Sequence, residues 1–355
     1  MLTEWAERRT GMADELVIES PPAPPQVPAP VGARGRRVDS LTLLVVGMVA
    51  VLVASRLIGD RHGPAWLQAW ATVFIAICVQ ALPFLLLGTL LSAAVAAFVP
   101  TTFLERALPR NPVLAVPIAG VAGVVLPGCE CASVPVAGRL IARGVAPAAA
   151  LAFLLSSPAI NPVVLVATGV AFRGHPEMVW ARLIASLATA VVMGLLWARF
   201  GRPEWLRPKL LREPAAGGSG WGSRWAVFRE SLEHDFLHAG GFLVIGGLTA
   251  ATLNVALPRG FLGSVTGLPV LSVLVPALLA VLLAVCSEAD AFVAAGLSGL
   301  SPVARLAFMV VGPMVDTKLI ALQAGTFGRA FAWRFSAATF AVAVLTAALV
   351  GWWLL

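Results

Sequence analysis

Three short stretches of this chain carry nearly all of its side chains able to do chemistry. The first is Leu126-Pro127-Gly128-Cys129-Glu130-Cys131, the second is Cys286-Ser287-Glu288-Ala289-Asp290, and the third pairs Asp316 with Lys318. Thiolates are soft ligands that prefer thiophilic species such as Zn(II), Cu(I) or trivalent arsenic over hard cations. A Cys-x-Cys pair has neither the spacing of a zinc knuckle nor four ligands. It gains weight if Cys286 faces it, because Cys129, Cys131 and Cys286 then form a three-thiol metal or metalloid site. Glu130, Glu288 and Asp290 would complete it as a mixed soft and carboxylate centre. The competing reading of a buried cysteine is a small, inert apolar filler, and Cys78, alone in an apolar run, is read that way.

The acids and the lysine matter because of where they lie. An ionisable group inside a bilayer costs about 2.5–3.5 kcal/mol on the insertion scale and is a functional candidate by default. Glu130, Glu288, Asp290, Asp316 and Lys318 all fall at expected membrane depth and are the candidate proton-exchanging groups. A spacing of two sets Asp316 and Lys318 on different faces of a regular helix, so a direct pair needs the unwound backbone that Gly312-Pro313 invites. Ser156-Ser157-Pro158-Ala159-Ile160-Asn161-Pro162 breaks a span in the same way, with Asn161 as a polar ligand or gate residue. Such irregular backbone is tolerated only where it lines protein or a cavity. His234 and His238, at i and i+4 around Asp235, share a helix face; an interfacial solvated pair is the plainer reading and metal capture the sharper one. No Gly-x-x-x-x-Gly-Lys-[Ser/Thr] loop occurs, which excludes an ATP-hydrolysing domain from this chain, and no cofactor is implied.

The composition says what kind of scaffold must hold these groups. Of 355 residues, 59% are hydrophobic and 12% charged, with a net charge of +7. Soluble domains are roughly 45–50% apolar and about 25% charged, so the chain is an all-α polytopic membrane protein. Its basic excess reads as positive-inside loops and not as a nucleic-acid surface. Residues 1–40 are polar and hold six prolines between Pro21 and Pro30, a disordered, partly polyproline arm. The first apolar run, Leu41–Leu57, is then an uncleaved leading span. A crossing helix needs about 20 apolar residues, which predicts further spans at Trp66–Val99, Pro147–Phe172, Glu177–Arg199, Phe236–Leu257, Pro302–Ala324 and Ala332–Leu355. Pro112–Ala142 and Leu268–Leu300, with their polar centres, read as pairs of half-helices. Trp66, Trp70, Trp180, Trp197, Trp352 and Trp353 near span ends read as interfacial anchors.

The flexible connector around Ala215-Ala216-Gly217-Gly218-Ser219-Gly220 divides the chain into related halves. At an offset of 155 residues Cys131 falls on Cys286, Gly144 on Gly299, Pro147 on Pro302, Pro158 on Pro313 and Asn161 on Asp316. The organisation is therefore an arm (1–40), a leading helix and loop (41–65), a first repeat (66–200), a cytoplasmic basic connector (201–235) and a second repeat (236–355). Charge sorting favours re-entrant hairpins. With the N-terminus in the cytoplasm, Arg106, Arg110, Arg139, Arg143, Arg329 and Arg334 then stay inside. Arg56, Arg61, Arg173, Arg182, Arg259 and Arg305 fall outside. The two halves become inverted copies of helix, re-entrant hairpin, broken helix and helix, a recurrent design of secondary transporters.

Several strings resemble one family. They are Gly128-Cys129-Glu130-Cys131, Pro135-Val136-Ala137, Arg143-Gly144-Val145-Ala146-Pro147 and Ser157-Pro158-Ala159-Ile160-Asn161-Pro162. Cys286-Ser287-Glu288-Ala289-Asp290 and Gly312-Pro313-Met314-Val315-Asp316-Thr317-Lys318-Leu319 belong with them. Over roughly residues 66–355 the chain resembles the bacterial predicted-permease family that includes the organoarsenical efflux permeases, in a Gly-Cys-Glu-Cys branch. The resemblance implies a multi-spanning inner-membrane permease and, for some relatives, export of trivalent organoarsenicals with cysteines implicated. Glu130 between the thiols suits a cation better than a neutral organoarsenical. The expectation is a proton-coupled exporter of a thiophilic metal or metalloid species. Its expected partners are the lipid bilayer and a small inorganic or organometallic solute, with a homo-oligomer or accessory membrane subunit. A membrane thiol oxidoreductase cycling Cys129 and Cys131, or an integral subunit of a larger complex, are the other classes.

Overall fold

A computed structural model describes residues 64–99, 109, 111–125, 129–206, 221–256, 269–297 and 299–355. The Pro-rich arm, the leading span, Leu126-Pro127-Gly128, Arg106, Arg110, Arg259 and the glycine-rich part of the connector lie outside the described residues. Among those described, every regular element is helical.

Before the connector come α1 (Ala65–Phe98), α2 (Pro112–Ala122), α3 (Glu130–Ala142), α4 (Pro147–Ile160), α5 (Pro162–Ala171) and α6 (Pro176–Phe200). After it come α7 (Trp221–Ala256), α8 (Pro269–Leu283), α9 (Asp290–Gly296), α10 (Pro302–Val311), α11 (Thr317–Thr326) and α12 (Arg329–Leu354). The order is the same in both halves: a long helix, two half-helices, two more half-helices and a long helix. Among the described residues five stretches are long and apolar enough to cross a membrane, namely Trp66–Phe98, Pro147–Ala171, Pro176–Phe200, Trp221–Ala256 and Arg329–Leu354.

The local chemistry explains the breaks. Proline starts α2, α4, α5, α6 and α10, where its missing N–H is no loss and its fixed φ suits the first turn. Asn161 ends α4 and caps α5, its side chain accepting from the Val164 N–H at 2.9 Å. Its repeat mate Asp316 caps α11 identically, accepting from Leu319 N–H at 2.6 Å. Both spans are broken as expected, each at a residue whose side chain replaces a lost backbone partner.

Two glycine turns set the direction of the chain. Gly144 (φ +89°) reverses α3 into α4, and Gly174 (φ +88°) reverses α5 into α6; the left-handed region is open to glycine at little steric cost. Between them α4 and α5 cover about 37 Å, so the turns lie at opposite ends of the bundle. Corresponding outer helices of the two halves run antiparallel. Trp70 of α1 donates to Thr252 of α7 at 3.0 Å, while Phe98 meets Phe228 at 6.1 Å towards the other end of the pair. Likewise Trp197 of α6 meets Phe331 of α12 at 5.3 Å, and Thr189 bonds Thr346 at 2.6 Å.

Two sequence expectations are corrected here. The helix expected from Phe236 starts instead at Trp221, because a charged stretch such as Arg229-Glu230-Ser231-Leu232-Glu233 suits a helix although it does not suit an apolar span. Arg139 and Arg182, counted as loop charges, lie inside helices with their side chains 3% and 0% exposed. Buried pairing, and not a choice of side, explains both arginines.

Candidate functional site

The α3 helix begins at Glu130 with Cys129 in the N-cap position, and no side chain caps it. Glu130 therefore sits in the first turn, where the helix dipole favours its negative charge. All of Cys129, Glu130 and Cys131 are buried. The α8 helix ends facing them, and Ala284 beyond it adopts φ +49°, the one positive-φ residue other than glycine among the described residues. That sharp turn brings Cys286 round so that the Cys129 thiol interacts with both Cys131 and Cys286. All four cysteines are free.

Lys318 enters from the other broken span. Its Nζ donates to Glu130 Oε1 at 3.0 Å and lies 3.4 Å from Asp316 Oδ2, an ion pair without hydrogen-bond geometry. The direct Asp316–Lys318 pair exists because residues 312–316 are unwound, as Gly312-Pro313 suggested. Glu130 Oε2 and Asp316 Oδ2 are buried without a hydrogen-bond partner. Two carboxylates thus share one ammonium, which, with both ionised, leaves one negative charge more than the lysine neutralises. One proton or one small cation would balance it.

Close backbone approach makes this meeting possible. A Cβ at Gly88 of α1 would collide with the Cα of Ala132, and one at Gly246 of α7 would stand 2.7 Å from the Cα of Lys318. The long pair α1–α7 therefore presses both site-bearing half-helices together through its glycines.

A cavity of about 200 Å³ opens beside the cluster, lined by Cys129, Glu130, Cys131, Cys286 and Lys318, with Gln80 and Asn254 on its walls. Gln80 and Asn254 were not singled out from sequence. Each is an amide within a long apolar stretch, Gln80 at the centre of α1 and Asn254 near the end of α7, and that was the signal available.

Other candidates are placed elsewhere. Asn161 is buried away from the cavity lining, donating to the Ser157 carbonyl at 3.2 Å while it caps α5. Asp290 does not line the cavity either. Arg182 binds it through two hydrogen bonds of 2.9 and 2.7 Å, and also donates to Thr168 Oγ1 at 2.9 Å and the Ser287 carbonyl at 3.3 Å. Glu288 is half-buried and accepts hydrogen bonds from Cys286 and Ser287. The rings of His234 and His238 stack at 6.2 Å. Between them Asp235 turns inward to Arg139 at 2.8 Å and accepts from Ser92 at 2.7 Å. Cys78 packs with Phe74 and Ala251, as a filler does.

Among the described residues no group of three or more His, Cys, Asp or Glu side chains is arranged to hold a metal ion. The mixed thiol and carboxylate metal centre of Cys129, Cys131, Cys286, Glu130, Glu288 and Asp290 is therefore not preformed. The reason is local: Glu130 is held by Lys318, Asp290 by Arg182, and Glu288 by Cys286. What the site offers is a cluster of thiols beside a lysine held between two acids.

With this geometry in hand, comparison with known proteins is informative. A family model described as predicted permease matches residues 66–352. The UPF0718 protein YcgR of Bacillus subtilis (strain 168) is 34% identical over 265 residues, covering 73% of this chain and 89% of its own length. The "Putative two-component membrane permease complex subunit" of Streptococcus mutans serotype c is 29% identical over 297 residues, covering 82% of this chain and 98% of its own length. No solved structure matches.

Proposed function

The chain belongs to the predicted-permease family, whose model spans every residue of the site, and on that premise we propose that it is a proton-coupled secondary transporter. In this reading it exports a thiophilic metal or metalloid species across the bacterial plasma membrane, with its N-terminus in the cytoplasm. The observation that carries the reading is the meeting of three thiols from both halves beside a buried lysine and two carboxylates, on a cavity of about 200 Å³.

The chemistry couples the two events. Thiols bind soft species as thiolates, so capture releases protons. Glu288, already accepting from Cys286, is the nearest base for the first of them. The unneutralised charge shared by Glu130 and Asp316 supplies a second place for a proton within reach of the same cavity. A proton gradient can then drive release of the solute by reprotonating the thiols. The absence of a preformed metal cage favours a species that draws two or three thiols together as it binds.

Alternating access follows from the architecture: two halves with the same order of elements, whose corresponding long helices run antiparallel, support an inverted repeat. The half-helices support re-entrant hairpins. The α2 and α3 helices have 11 and 13 residues, about 16–20 Å each, against a hydrocarbon core of about 30 Å.

The test is uptake into proteoliposomes under an imposed pH gradient, with Zn(II), Cu(I), arsenite and methylated arsenicals as the panel. Transport of at least one member, abolished in Cys129→Ser, Cys131→Ser and Glu288→Gln, is expected. Unchanged transport in all three variants, or no transport of any member, defeats the reading. The name of the Streptococcus relative favours an accessory membrane subunit as well. Stoichiometric co-purification of a second membrane protein in mild detergent is its check.

A further inference from the structure

Among the described residues, three buried ion pairs join the two halves: Glu130–Lys318, Arg139–Asp235 and Arg182–Asp290. The first belongs to the central site. The other two lie at different depths, and the chain path shows where. Arg139 follows Glu130 by nine residues on α3, about 13 Å nearer the Gly144 end. Thr168, which binds Arg182, precedes the Gly174 turn by six residues, so that pair lies towards the opposite end.

The cavity is not centred between them. Ser92 and Asp235 mark the level of Arg139 on α1 and α7. The lining residues Val73 on α1 and Asn254 on α7 are each nineteen residues from those markers, about 28 Å along their helices towards the Gly174 end. The cavity thus runs from the thiols in that direction. Towards the Gly144 end α1, α3 and α7 are drawn together. Ser92 Oγ donates to Asp235 Oδ2 at 2.7 Å, Arg139 Nη2 donates to the same oxygen at 2.8 Å, and Arg139 Nε reaches Ser92 Oγ at 3.5 Å. One turn farther, Arg143 donates to the Val99 carbonyl at 3.2 Å.

We propose that Arg139 and Asp235, steadied by Ser92, form the gate that seals the central site from the Gly144 end, and that parting this pair exposes the thiols to that side. The proposal rests on the permease reading above and names the residues by which one half moves on the other. A buried ion pair suits this role because its charges are satisfied in two states: paired when the halves touch, hydrated when water enters between them. Removing one partner destroys the closed state and leaves the open one intact. Arg182–Asp290 contrasts with it. Arg182 is clamped by Thr168, Asp290 and the Ser287 carbonyl, and Asp290 lies one turn beyond Cys286. That pair anchors the thiol-bearing tip and gates nothing.

Labelling of Cys129, Cys131 and Cys286 by a membrane-impermeant maleimide, read cysteine by cysteine in inside-out and right-side-out vesicles, separates these roles. The wild-type thiols are expected to label from the Gly174 face alone. Arg139→Gln and Asp235→Asn should each raise labelling from the Gly144 face by about tenfold or more as the open population grows. The reversed pair Arg139→Asp with Asp235→Arg should restore the wild-type pattern, which a general loosening would not. Arg182→Gln should produce no Gly144-face labelling. Unchanged labelling in folded neutralised variants, or equal gains in Arg182→Gln, overturns the gate. Labelling needs no solute, so a gate that opens as described in a protein that moves none of the panel would count against the transport reading alone.

Discussion

The broken spans α4–α5 and α10–α11 solve the same backbone problem with different residues. Asn161 and Asp316 each cap the second half-helix of their span and accept from the N–H three residues on, but Asn161 directly ends α4 whereas α10 ends at Val311, four unwound residues before Asp316. Asn161 is neutral; its amide donates to the Ser157 carbonyl and accepts from the Val164 N–H within its own span. Asp316 carries charge, which holds Lys318 two residues later and through it reaches Glu130 in the other half. The two halves follow the same order of elements, with one such unwound point in each. The carboxylate of Asp316, with Lys318 beside it, joins one of them to the candidate site.

That contrast can be broken at Lys318 with the largest effect. Lys318→Met leaves Glu130 and Asp316 buried without a cation, and uncompensated buried charge costs about 3–5 kcal/mol. A strongly lowered melting midpoint in detergent and loss of transport are expected, and the melting midpoint should recover partly at acidic pH as the acids protonate. Asp316→Asn is the sharper variant. Asparagine caps as well as aspartate, so the fold should hold to within about 1 kcal/mol while proton-driven transport is lost. Intact coupling in that variant, measured as solute-dependent proton flux, would reduce Asp316 to a cap like its mate. The smallest effect belongs to Asn161→Ala, which removes a cap worth about 1 kcal/mol. It should lower the melting midpoint by a few degrees and leave coupling intact. A coupling defect there would mean that both breaks belong to the site.

Much of this was legible along the chain. Apolar runs, proline starts and polar breaks gave the half-helices nearly to the residue, since each depends on local rules. The offset of 155 residues pairs Asn161 with Asp316 and aligns Cys131 with Cys286 from the sequence alone. The two arginines were misread for a physical reason. Arg139 and Arg182 lie within helices, near their ends, where a loop charge and a buried one look alike in sequence. What distinguishes them is a partner about 100 residues away, Asp235 for one and Asp290 for the other. The same distance hid Glu130–Lys318, whose members are 188 residues apart. It also hid that Asp290, grouped with the thiols by sequence, faces Arg182.

Residue types and spacing by themselves determined a helical membrane protein, its broken spans and the inventory of soft and acidic groups. These follow from hydropathy, proline geometry and the cost of charge in lipid, which act over a few residues at a time. Only the tertiary structure decided which acid meets which base, because pairing depends on how helices far apart in sequence pack. It withdrew Asp290 and Asn161 from the cavity and set Lys318 between Glu130 and Asp316. It also left one end of the bundle tied by Arg139 and Asp235 while the cavity runs towards the other.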